Sequence, residues 1–188
     1  MKKNSATKRI VVTLVAAVLL LSAAAGAIPL AKALYPQDYS EYVEYYAQKY
    51  SLEPSMVYAI IRTESRFNPD ANSGDADARG LMQITEQTFA WIKSLIAPTE
   101  SITFDELYDP EQSVRFGCFM LAYCMKLYDN DIATTAAAYH NGINLVNRLI
   151  ADGKYSADGK TLNSFPYKQM NIYVRRVTSA YDIYTKLY

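Results

Sequence analysis

After Pro36 the apolar residues of this chain recur at the three-to-four-residue spacing of a helix, almost to the C-terminus. A chain patterned in this way buries its apolar stripes by packing helix against helix. Tyr39, Val43, Tyr46 and Tyr50 mark a first helix, which Ser51 to Pro54 interrupts. Pro54 suits a first helical turn and opens a second helix, expected to run to about Phe67, where Asn68-Pro69 stops it. Residues 68–80 are polar and contain glycine, so they read as a loop. Gly80 to Leu95 is predicted as a helix on Leu81, Ile84, Phe89, Ile92 and Leu95. Further helices are expected over Pro110 to Tyr128, Ile132 to Tyr139 and Asn144 to Ile150, then a loop from Ala151 to Pro166. The last helix carries the stripe Met170, Tyr173, Val174, Val177, Tyr181 and Tyr184. Residues 35–188 therefore form a mainly α single domain. A hydrophobic content of 51% with only 7 Gly and 7 Pro argues against disorder.

The first 34 residues are of another kind. Lys2, Lys3, Lys8, Arg9 and Lys32 lie there with no acidic residue, and Ile10 to Ala31 carries no charge at all. About 20 apolar residues suffice to cross a bilayer, and flanking positive charges stay on the cytoplasmic side. Residues 10–31 are thus expected to be a single-pass membrane anchor that holds the domain outside the cytoplasm. A cleaved signal peptide is the alternative, since Ala23-Ala24-Ala25, Ala25-Gly26-Ala27 and Ala31-Lys32-Ala33 offer small-residue cleavage sites and secretion would follow. The formal net charge of zero hides this division. Residues 35–188 hold 14 basic and 19 acidic side chains, a net of −5, which excludes a nucleic-acid partner.

Cys118 and Cys124 stand six residues apart on one predicted helix. Six residues turn the helix by about 600° and rise about 9 Å, so the pair cannot bridge. Buried free thiols are expected, and with one His in the chain no metal site or cofactor is implied.

On the second helix Val57, Ile60 and Ile61 form an apolar stripe whose next member is Glu64. A carboxylate on a core-facing stripe is costly to ionise, and desolvation raises its pKa toward the range of a general acid. Two readings stand at this point. Glu64 is a desolvated acid, or it ends the stripe in solvent or pairs with Arg62, Arg66 or Arg79.

The wider pattern bears on that choice. Arg62-Thr63-Glu64-Ser65-Arg66-Phe67-Asn68-Pro69 is followed by Arg79-Gly80-Leu81-Met82-Gln83-Ile84. Then come Ala137-Ala138-Tyr139-His140-Asn141-Gly142-Ile143 and Ile172-Tyr173-Val174-Arg175-Arg176-Val177. This order resembles the lytic transglycosylase family with the goose-type lysozyme-like domain, over roughly Tyr39 to Tyr184. The resemblance implies a lysozyme-like fold and peptidoglycan glycan strands as substrate, with Glu64 as sole catalytic acid/base. It implies that Ser65 positions the glycan, that Met82 and Gln83 line the cleft, and that Tyr139 and Tyr173 surround and orient Glu64. The implied reaction cleaves the β-1,4 bond between N-acetylmuramic acid and N-acetylglucosamine and leaves a 1,6-anhydro end. A lysozyme-type hydrolase of the same bond, or an inactive peptidoglycan-binding module, is the alternative.

Each of these residues also has a plainer reading. Met82 and Tyr173 lie on apolar faces and are explained by packing alone. Gln83 and Ser65 are equally compatible with solvent. The family usually shows Tyr-Asn-Ala-Gly where this chain has Tyr139-His140-Asn141-Gly142. The Asn's role is therefore not carried onto His140, which reads as a surface or loop His. Asp75 and Asp77, in an unusually acidic loop, either perturb Glu64 or meet only solvent.

Overall fold

The computed structural model describes residues 27–74 and 76–188. The chain divides into two compact units, the first ending at Pro36 and the second beginning at Gln37. In the first, residues 27–34 are helical and the Tyr35 N–H donates to the Ala31 carbonyl at 2.9 Å. Residues 10–26 of the expected anchor, and Asp75, lie outside the described residues. Among the described residues no helix is long and apolar enough to cross a membrane.

The second unit is a helical body: α1 (Ser40–Tyr50), α2 (Pro54–Glu64), α3 (Glu86–Ile96), α4 (Pro110–Leu127), α5 (Ile132–Asn141), α6 (Ile143–Ala151) and α7 (Lys168–Leu187). A 3-10 turn, Phe104–Tyr108, precedes α4. Pairing between extended segments amounts, among the described residues, to the isolated bridges of Arg79 with Asn72 and Ile84. Helix α4 is the hub, against which α1, α3, α5 and the 3-10 turn all pack. Its sequence explains that position. Val114, Phe116, Gly117, Cys118, Leu121 and Cys124 are buried on several faces, as in a helix enclosed by others. Both cysteines are free and buried.

The helix starts follow their capping residues. Asp109 accepts from the Gln112 N–H at 3.0 Å and Asp131 from the Thr134 N–H at 2.7 Å, so each relieves an orphan donor of a first turn. Pro54 and Pro110 occupy first-turn positions, where a missing N–H costs nothing.

Two expected helices are corrected, and both corrections build the site. Helix α2 stops at Glu64 rather than near Phe67, because Arg66 (φ 53°) and Phe67 (φ 66°) turn left-handed. That reversal folds Phe67 back toward Tyr58, ring centroids 6.4 Å apart, and leaves Glu64 on the final turn. Gly80 to Thr85 is a tight turn, and α3 begins only at Glu86. Gly80 has φ 75°, and a Cβ there would lie 1.9 Å from the Leu107 carbonyl oxygen. The Arg79 N–H donates to the Ile84 carbonyl at 3.1 Å and the Ile84 N–H returns a bond at 3.3 Å. Leu81 and Ile84 are buried as a helical stripe would require, but a turn presents them.

Candidate active site

Glu64 sits at the C-terminal end of α2, half-buried, at the wall of a cavity of about 190 Å³. Gln83, Thr85, Thr88, Tyr139 and His140 line the same cavity. The Tyr173 hydroxyl donates to Glu64 Oε1 at 2.5 Å from α7, 109 residues further along the chain. Burial pushes the Glu64 carboxyl from 4.5 to about 7, against the pull of the Tyr173 hydrogen bond, which favours the ionised form. Glu64 is therefore not a solvent carboxylate, and Tyr173 is its hydrogen-bond partner. Arg79 is occupied elsewhere: it bonds Asp77 at 2.8 Å and Asp105, and lies over the Phe104 ring at 4.0 Å. Asp77 takes that bond and another from Asn72 at 2.7 Å, and neither aspartate contributes to the shift at Glu64.

The tyrosines hold the site by opposite ends. Tyr139, from the last turn of α5, donates its hydroxyl to the Met82 carbonyl at 2.8 Å. Tyr173 is 6% exposed, and both phenols are raised well above 10 by burial, with the Glu64 charge adding to it. They remain hydrogen-bond donors at any physiological pH.

One expected contact is placed differently. Met82 has no exposed surface, and its side chain packs on Gly117, where a Cβ would stand 2.2 Å from the Met82 sulfur. Its part is to offer a backbone carbonyl to Tyr139, while its N–H donates to Ser113 Oγ at 3.1 Å. The Ser65 hydroxyl donates to the Ile61 carbonyl at 3.2 Å, closing the helix end beside the cavity. Gln83 does reach the cavity. Its Nε2 donates to the carbonyls of Ala71 and Gly80, both at 2.9 Å, and so ties the loop to the turn; its φ of 50° belongs to that turn.

Thr85, Thr88 and Met120 line the cavity without having been singled out beforehand. Thr85 is the N-cap of α3 and accepts from the Thr88 N–H, so both threonines read locally as capping residues. His140 is exposed, as a surface His would be, but it is helical rather than in a loop. Its ring stacks on Tyr173, centroids 4.1 Å apart and planes 9° apart, and burial of part of the ring lowers its pKa.

The site thus offers one desolvated carboxyl bonded by Tyr173, with Tyr139 beside it, in a small cavity of mixed polar and apolar lining. The family model described as Transglycosylase SLT domain matches residues 41–162 of this chain. The chain belongs to that family. Glu64, Ser65, Met82, Gln83 and Tyr139 lie inside the matched segment, and Tyr173 follows it. A putative soluble lytic murein transglycosylase of Haemophilus influenzae is 32% identical over 157 residues, 81% of this chain and 25% of the relative. A membrane-bound lytic murein transglycosylase C of Serratia proteamaculans is 33% identical over 125 residues, 60% of this chain and 34% of the relative. Among solved structures, an inactive Glu-to-Gln mutant of lytic transglycosylase Slt from Pseudomonas aeruginosa superposes with a TM-score of 0.70 at 25% identity. It covers 81% of this chain and 24% of that one. This SLT-family chain spans a quarter to a third of the length of these relatives.

Proposed function

We propose that this chain is a peptidoglycan lytic transglycosylase, cleaving the β-1,4 bond between N-acetylmuramic acid and N-acetylglucosamine with formation of a 1,6-anhydro end. The observation that carries this reading is the Glu64 carboxyl, held near pH 7 by burial and bonded by Tyr173. A group that titrates there serves equally as acid and as base. Most glycosidases divide those duties between two carboxylates. Among the described residues that line this cavity, Glu64 is the carboxylate.

In this scheme protonated Glu64 donates to the glycosidic oxygen while positive charge develops at C1 of the N-acetylmuramic acid, where the sugar's own N-acetyl group supports it. Ionised Glu64, stabilised by the Tyr173 hydroxyl, then takes the proton of the C6 hydroxyl, which attacks C1. The internal hydroxyl competes with water because it is already in place, an advantage of up to about 7 to 11 kcal/mol for well-oriented groups. Family membership and the relatives, named as murein transglycosylases, support the substrate class.

We also assign the uncharged run of residues 10–31 as a membrane anchor that keeps the helical body outside the cytoplasm. The Serratia relative, named as membrane-bound, is consistent with that arrangement.

The decisive experiment incubates the full chain with purified peptidoglycan and weighs the products. Fragments lighter by one water than hydrolysis products carry the anhydro end, and Glu64→Gln should release none. Reducing-end products would make the chain a hydrolase, and binding without cleavage would make it a wall-binding module.

A further inference from the structure

His140 stands at the mouth of the cavity, and packing within α5 does not explain it. Tyr139 and His140 are neighbours on the last turn of α5 and point roughly 100° apart. Tyr139 reaches inward to the Met82 carbonyl, so His140 is directed toward α7 and lies flat on Tyr173. One face of the Tyr173 ring is thereby covered by an imidazole whose own outer side meets solvent. The hydroxyl of that same ring makes the 2.5 Å bond to Glu64. A phenol whose ring cannot tilt keeps its hydroxyl aimed at one point, and fixed donors serve best where charge appears and disappears during a reaction.

We propose that His140 is a positioning residue that acts through Tyr173: its ring clamps the tyrosine so that the hydroxyl stays on the Glu64 carboxylate. The titratable groups facing His140 are Glu64 from α2, Tyr139 from its own helix and Tyr173 from α7. The turn before α3 and the start of α3 contribute neutral Gln83, Thr85 and Thr88, and α4 contributes Met120. Flat stacking is thus the main contact that α5 makes with Tyr173 through this residue, and any planar ring would supply it. The inference concerns the same site as the transglycosylase reading but does not need that reading to be tested.

The test is a double-mutant cycle in the full chain. The pH titration of the Glu64 carboxyl is followed by infrared difference spectroscopy, with Glu64→Gln subtracted to assign the band. Tyr173→Phe removes the donor and raises the midpoint. His140→Ala is expected to raise it in the same direction, and His140→Phe to restore the wild-type value. In the Tyr173→Phe background His140→Ala should shift nothing further, since there is no hydroxyl left to aim. In parallel, kcat on peptidoglycan falls about tenfold in His140→Ala with KM nearly unchanged, the scale of one weakened hydrogen bond to a charged group, and His140→Phe recovers it. An unmoved midpoint in His140→Ala overturns the proposal. So does an equal shift in both backgrounds, which would mean that His140 acts on Glu64 without Tyr173, and so does a downward shift, which would mean that it only shields Glu64 from water. Failure of His140→Phe to restore the midpoint also counts against it. A wild-type chain that releases no anhydro product while the cycle behaves as stated would refute the transglycosylase reading and leave the clamp standing.

Discussion

Ionising Glu64 is harder in the folded protein than in the unfolded chain, where the carboxyl has its ordinary value of 4.5. The folded state, with the group near 7, binds the proton more tightly, so stability declines as pH rises from about 4.5 to about 7 and stays lower above that. Glu64→Gln keeps the shape of the neutral acid and cannot ionise. It should therefore stabilise the fold at pH 8 by up to about 3 kcal/mol and have little effect at pH 4. Chemical denaturation at both pH values checks this, and an equal gain at the two would contradict it. Tyr173→Phe acts on the opposite side of the balance. The hydroxyl favours the ionised carboxylate, so its loss should move the alkaline limb of kcat/KM upward by roughly one pH unit, while kcat itself falls. At this scale the sequence was informative where a polar residue broke an apolar stripe. Glu64 interrupts such a stripe and was visible; Tyr173 continues one, so periodicity reported its packing, and only the family resemblance pointed it toward Glu64. His140 had no local pattern to betray it, because its partner comes from a helix about 30 residues away.

The elements themselves were readable where periodicity and caps agreed, as in α4 between Pro110 and Leu127 and in α7. They were misread where a turn buries apolar residues at helical spacing. Leu81 and Ile84 satisfy the i, i+3 rule from within the tight turn at Gly80 to Thr85, and only Gly80 hinted that a helix was excluded there. That turn has a consequence at the level of helix packing. Met82 lies in the notch left by Gly117 on α4, and its carbonyl receives the Tyr139 hydroxyl. A Cβ at position 117 would meet the Met82 side chain at 2.2 to 2.8 Å, so Gly117→Ala must displace it. The expected cost is about 1 to 3 kcal/mol of stability, as for other overpacked cores. The displacement is passed to Tyr139, so specific activity should fall in protein that is still fully folded by circular dichroism. If the variant lost stability alone, the link from α4 through Met82 to the site would be refuted.

At the level of the whole molecule, the mainly α class was legible because most of the body keeps one period. The site was less so, because it joins an acid on α2 to a phenol 109 residues later, a distance no local pattern reports. Charge was legible in another way. The basic, acid-free first 34 residues and the body with a net of −5 obey different rules, and the uncharged 22-residue run between Arg9 and Lys32 is long enough to span a bilayer. The body has its own hub helix and its own core, so its chemistry should not depend on that run. Expressed in a bacterial host, the full chain should sediment with membranes and resist extraction by high salt, which removes proteins held only by charge. A variant lacking residues 1–34 and supplied with a cleavable signal should be recovered in the soluble extracytoplasmic fraction with its peptidoglycan-cleaving activity intact. Recovery of the full chain in the soluble fraction, with a new N-terminus near Ala25 or Ala33, would instead make the run a signal peptide. That result would overturn the anchor while leaving the proposed glycan chemistry of Glu64 untouched, because the two depend on separate parts of the chain.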